Sequence, residues 1–73
     1  MINRNTIDVG DKVYHQPDYY KEPNKFENGI VKEILCHVAD SLRVVYNCSE
    51  DWDNYQDYTS ALTNVRDLYL GWK

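Results

Sequence analysis

Leu42-Arg43-Val44-Val45-Tyr46 is the stretch on which the fold is read. β-Branched and aromatic residues fill it, a composition suited to a pleated strand. Working outward, Val38-Ala39-Asp40-Ser41 supplies a turn that separates it from a second strand over Phe26–Cys36, entered through Asn28-Gly29. The apolar residues of that strand fall at 30, 31, 34 and 35, which breaks strict alternation. A bulge or sharp bend near Lys32-Glu33 restores an inward Val31 and an inward Ile34. An amphipathic helical phase is the competing reading, which Gly29 and the β-branched residues disfavour. Further upstream, Gly10-Asp11 turns into a first strand, Lys12–His15, with Val13 and Tyr14 on opposite faces. Residues 16–25 contain Pro17, Pro23 and Asn24 and form a long loop carrying Tyr19 and Tyr20. Downstream of Tyr46, residues 47–57 read as a polar loop and Tyr58–Leu62 as a fourth strand. Thr63 or Asn64 caps one helical turn through Val65–Leu68, and Tyr69–Trp72 is the closing strand. The inward positions are Val13, Val31, Ile34, Val44, Tyr46, Ala61 and Leu68, with Trp72 also expected in the core.

The 73 residues carry no repeat, linker or low-complexity tract, so one domain is expected over 1–73. Leu, Ile, Val and Phe number 17, enough for a compact core. Seven Tyr and two Trp suit either a small core or a contact surface. Twelve acidic against eight basic side chains give a net charge of −4, which repels phosphate backbones and makes nucleic acid an unlikely partner. No apolar run spans a membrane and no signal peptide is read, so a cytoplasmic protein is expected. Cys36 and Cys48 are expected to be free thiols in that compartment, although neighbouring strands could bring them within bridging reach.

The pattern Ile7-x-x-Gly10-Asp11-x-Val13, Gly29-x-Val31-x-x-Ile34, Val44-x-Tyr46 and Asp67-Leu68 resembles a Tudor-type or SH3-like small barrel, over Ile7 to Trp72. The expected fold is therefore all-β: a five-stranded SH3-like (Tudor-like) barrel with one 3₁₀ turn before the last strand. Such barrels serve many unrelated functions. Asn28-Gly29-Ile30-Val31, Trp52-Asp53-Asn54-Tyr55 and the Asp67–Trp72 ending also resemble small accessory proteins of bacteriophages and prophages.

Catalytic constellations are missing from the sequence. Cys36 and His37 are adjacent and face opposite ways on a strand, so they form no local nucleophile–base pair. His15, Cys36, His37 and Cys48 lack the close cysteine pair that nucleates a zinc site. Asp51-x-Asp53-x-Tyr55-x-Asp57 spaces oxygens as calcium loops do, but Gln56 replaces the turn glycine and Leu62 the closing glutamate. No enzyme activity, cofactor or metal is expected.

The informative stretch lies between Val44 and Val65, where there is no Lys or Arg. Glu50, Asp51, Asp53 and Asp57 sit among Trp52, Tyr55 and Tyr58. One account folds the aromatics onto the domain as a lid; the other makes them anchors ringed by acids that select a basic partner. Tyr19 and Tyr20 are expected to share that surface. The leading expectation is a protein-binding module, encoded by a phage or prophage, that inhibits a host defence protein with a basic surface. Two alternatives are carried. One is an aromatic cage for a modified peptide or small ligand, with Tyr14, Tyr19, Trp52 and Tyr55 as walls and Asp53 as charge partner. The other is nucleic-acid binding through Lys12, Lys32, Arg43 and Arg66.

Overall fold

A single long strand organises the sheet. In the computed structural model, which describes residues 2–3, 5–46 and 48–73, this strand is β2, Glu27–Ile34. Its first half pairs antiparallel with β1, Lys12–His15, from Lys12 opposite Ile30 to His15 opposite Glu27. Its second half pairs with β3, Ser41–Val45, with Ile30 opposite Val45 and Val31 opposite Val44. The register then shifts between Val31 and Glu33, so the expected bulge is present at Lys32. Ile34 thereby meets Leu42 on the core face instead of turning to solvent.

The chain continues through a 3₁₀ turn, η1, at Trp52–Asp57, which interrupts what the sequence suggested was an irregular loop. β4 is Ala61–Asn64, starting later than the expected Tyr58. Tyr58 instead closes η1, its N–H donating to the Tyr55 carbonyl at 3.3 Å, and its own carbonyl accepts from Lys32 Nζ at 2.6 Å. A second 3₁₀ turn, η2 at Val65–Asp67, is capped by Asn64 Oδ1 accepting from Arg66 N–H at 3.0 Å, as its sequence implied. β5, Leu68–Leu70, follows at once and pairs with β1.

All five strands are antiparallel in one sheet of order β4-β3-β2-β1-β5. β4 and β5 are its two ends; η2 joins them and no ladder links them, so among the described residues the sheet is not closed.

One face of the sheet buries Val13, Val31, Leu42, Val44 and Leu68 with Ile2 and Ile7, and Ile34, Tyr46 and Val65 pack against them. Ala61, expected in this core, is exposed. It lies opposite Val44, but β4 is a sheet edge and its face opens onto a recess of about 260 Å³ lined by Val44, Tyr46, Thr59, Ser60 and Ala61. Ile2 and Ile7, absent from the sequence-derived core, seal the same face; Ile2 N–H donates to the η2 carbonyl of Val65 at 3.2 Å. Val44 is fully buried, so Val44→Ala should cost ~1–3 kcal/mol in chemical denaturation.

Tyr46 gives the core a pH limit. Burial pushes its phenol up to about 12, against the lowering effect of its 2.9 Å hydrogen bond with Thr63 Oγ1. A raised tyrosine pKa means the fold prefers the neutral phenol. The corresponding stability is complete below the unfolded value of about 10 and is lost as pH climbs from there through about 12. Because the ring is only partly buried, the loss should be roughly 1–2 kcal/mol. Melting followed across that alkaline range should fall less steeply in Tyr46→Phe than in the parent.

Candidate functional site

Alternation along the strands places Ile30 and Val45 on the face opposite the core, directly across from each other. Both are nonetheless buried, as is Cys48 just beyond β3. Something must therefore cover the outer face. Ser49 and Glu50, with φ of 51° and 66°, take left-handed backbone that costs non-glycine residues ~1–2 kcal/mol each. They turn the chain into η1, and Asp51 N–H closes the bend on the Cys48 carbonyl at 2.8 Å. Trp52 heads η1 and meets Trp72, which follows β5, with ring centroids 4.7 Å apart and planes tilted by 51°. The Trp72 indole N–H donates to the Gly29 carbonyl at 2.8 Å, which fixes that ring on β2. Trp72 is thus half-buried on the outer face, not part of the main core as the sequence reading had it.

The two indoles form one wall of a groove of about 500 Å³, lined also by Gly10, Lys12, Ile30, Glu50, Asp51, Asp53 and Tyr55. Gly10 has φ of 96°, and a side chain there would also stand 3.3 Å from the Tyr55 hydroxyl. Lys12 Nζ lies over the Trp72 ring, 4.7 Å from its centroid. Asp51 is committed to the loop itself. Its carboxylate accepts from Asn54 Nδ2 and from the Tyr58 hydroxyl, each at 2.9 Å. That bond, reinforced by desolvation, raises the Tyr58 phenol above its ordinary value. Glu50 and Asp53 differ: neither carboxylate takes part in a hydrogen bond or ion pair among the described residues, whose ion pairs are Arg43–Glu33 and Arg66–Asp67.

Five of the nine residues singled out in the sequence therefore meet in the groove: Glu50, Asp51, Trp52, Asp53 and Tyr55. Tyr58 braces it through Asp51, and Asp57 ends η1 in solvent. Tyr19 and Tyr20 are not brought to it. Tyr20 packs edge-on against His15 at 5.7 Å and donates to Glu27 Oε1 at 2.9 Å, and the exposed Tyr19 leans on Tyr20. The Glu27 contact raises the Tyr20 phenol as Asp51 does that of Tyr58.

The expected cage of Tyr14, Tyr19, Trp52 and Tyr55 does not assemble either. Tyr14 is stacked on Tyr69 at 5.1 Å and shares Lys73 with Phe26. Gly10, Lys12, Ile30 and Trp72 are the groove residues that the sequence reading missed.

Compared with known proteins, the chain matches no family model, no curated protein and no solved structure. The site is thus read on its own chemistry. Cys36 and Cys48 are free, the first exposed and the second buried. Among the described residues no three His, Cys, Asp or Glu side chains gather as a metal site, and no helix is long and apolar enough to cross a membrane. The basic residues considered for nucleic acid are each engaged: Lys12 on Trp72, Lys32 on the Tyr58 carbonyl, Arg43 with Glu33 and Arg66 with Asp67.

Proposed function

We propose that this chain is a non-enzymatic protein-binding module whose groove beneath η1 takes a basic surface of a partner protein. The observation that carries this reading is the pairing of aromatic walls with open charge. Trp52, Trp72 and Tyr55 line the groove half-buried, and the carboxylates of Glu50 and Asp53 beside them have no partner within the described residues. Aromatic anchors supply contact energy in such a site and unpaired acids supply selection and steering. The bulged β2 shared by both halves of the sheet, and the 3₁₀ turn before β5, agree with the small-barrel resemblance. The narrower version, a phage-encoded inhibitor of a host defence protein, rests on the sequence resemblance.

Salt dependence tests the proposal against an aromatic-cage reader. Binding of a hexa-arginine peptide should weaken steeply from about 50 to about 500 mM salt, because the partly exposed carboxylates are screened. Affinity that is flat across that range would mean that the aromatic walls bind without the carboxylates, contrary to the proposal.

A further inference from the structure

The groove already holds a cation, and it belongs to the chain. Lys12 projects from the β1 position opposite Ile30, and its ammonium sits 4.7 Å from the Trp72 centroid. That ammonium makes no ion pair within 4.0 Å with a described carboxylate, although Glu50 and Asp53 line the same groove. An aromatic seat for a cation and two open acids thus stand side by side, with the internal lysine using only the first. We infer that the groove is a guanidinium seat and that Lys12 is its built-in competitor, displaced when an arginine of the partner enters.

The choice of arginine follows from geometry. A guanidinium is planar, so it can lie on an indole face while its fork of N–H donors reaches carboxylates at its edge. An ammonium is a compact, strongly hydrated point charge and satisfies one such surface less completely. The tilted contact between Trp52 and Trp72, at 4.7 Å, leaves no slot between the rings, and the face of Trp72 under Lys12 is the one already shown to seat a cation. Lys12 has somewhere to go. It stands on an exposed residue with a long flexible stem, and its charge can move into water. Displacing it costs the cation–π contact that it makes, which sets the size of the competition.

This inference rests on the proposed function of the groove, and the test separates the two. Both tryptophans of the chain line the groove, so intrinsic fluorescence reports on this site directly. Hexa-arginine and hexa-lysine peptides are titrated at low salt into the parent, Lys12→Gln and Lys21→Gln. Lys21 is exposed and lies outside the groove, so its variant matches the charge change without touching the seat. The expected result is that the parent binds hexa-arginine more tightly than hexa-lysine. Lys12→Gln should then tighten hexa-arginine by about two- to fivefold, the range of an exposed cation–π contact. Lys21→Gln should match the parent.

Equal affinities in the parent and Lys12→Gln, or equal gains in both variants, would overturn the competitor role while leaving the groove as a basic-partner site. A preference for hexa-lysine would overturn the guanidinium assignment. No fluorescence response in parent or variant would overturn both the inference and the function it rests on. Melting of each variant, read alongside, ensures that a loss of signal is not a loss of fold.

Discussion

Gly29→Ala is expected to destabilise the domain strongly while leaving it able to fold. Gly29 is buried in β2 opposite Val13, facing side chains of β3 and Tyr46 just beyond it. A methyl group there would stand 2.6 Å from Val44 Cγ1, 2.9 Å from Tyr46 Cδ1 and 2.9 Å from the Val45 carbonyl oxygen. One of those atoms is backbone within the ladder and another belongs to a fully buried side chain, so none can step aside cheaply. Overpacking of this kind costs typically ~1–3 kcal/mol and sometimes more. A domain of this length commands only roughly 4–11 kcal/mol in total, at about 0.05–0.15 kcal/mol per residue. Circular dichroism melting should therefore show a midpoint lowered by about 4–24 °C, at about 4–8 °C per kcal/mol. A cooperative melt within a few degrees of the parent would mean that β2 and β3 are spaced more loosely than described.

The second large effect divides the two roles of the loop. Trp52 packs against Trp72 at a tilt and lines the groove with the buried Ile30, so it is a lid by geometry as well as a wall of the groove. Trp52→Ala should therefore lower stability by ~1–3 kcal/mol, less than a fully buried tryptophan. It should also remove an anchor, typically worth ~2–4 kcal/mol of binding at a hot spot. Asp53→Lys is the cleaner probe. Asp53 is exposed and makes no hydrogen bond or ion pair among the described residues, so stability should change by no more than about 0.5 kcal/mol. Binding of a basic partner should nevertheless fall sharply, mainly through the association rate and its salt dependence, because an attractive field becomes repulsive. If the loop is a lid alone, Asp53→Lys is silent in both measurements, and binding falls in Trp52→Ala only as far as folding does.

Much of the sheet was legible because its residues alternate or break alternation for local reasons. Val31 and Ile34 cannot share a face without an extra residue between them, and the bulge is found at Lys32. Thr63 and Asn64 both offered a capping side chain for η2, and Asn64 is the one that caps it. The outer face was not read, although its signal was present. Ile30-Val31 and Val44-Val45 each give an apolar residue to both faces of the sheet, the pattern of a strand covered on both sides. Only one member of each pair can face the core, so the other needs a separate cover. Following Ile30 and Val45 outward would have required a cover, and Trp52 with Trp72 supplies it. The position of Tyr58 was hidden for a different reason. Besides its local bonds to Tyr55 and Asp51, it is held by Lys32, twenty-six positions away, and a contact at that separation leaves no mark in local pattern. The end of the sheet was misread likewise: Ala61 has the right parity for the core, and only the sheet edge explains its exposure.

The groove of Trp52, Trp72 and Tyr55 with Glu50 and Asp53 is the proposed partner surface. Amide and indole N–H resonances of the labelled protein, followed by NMR as hexa-arginine is added at low salt, test it most directly. Shifts are expected at both indole N–H groups, at residues 50–55 and at Gly10 and Lys12, with residues 16–25 left in place. Shifts centred on Tyr19 and Tyr20 or along β4, or none near either tryptophan, would contradict it.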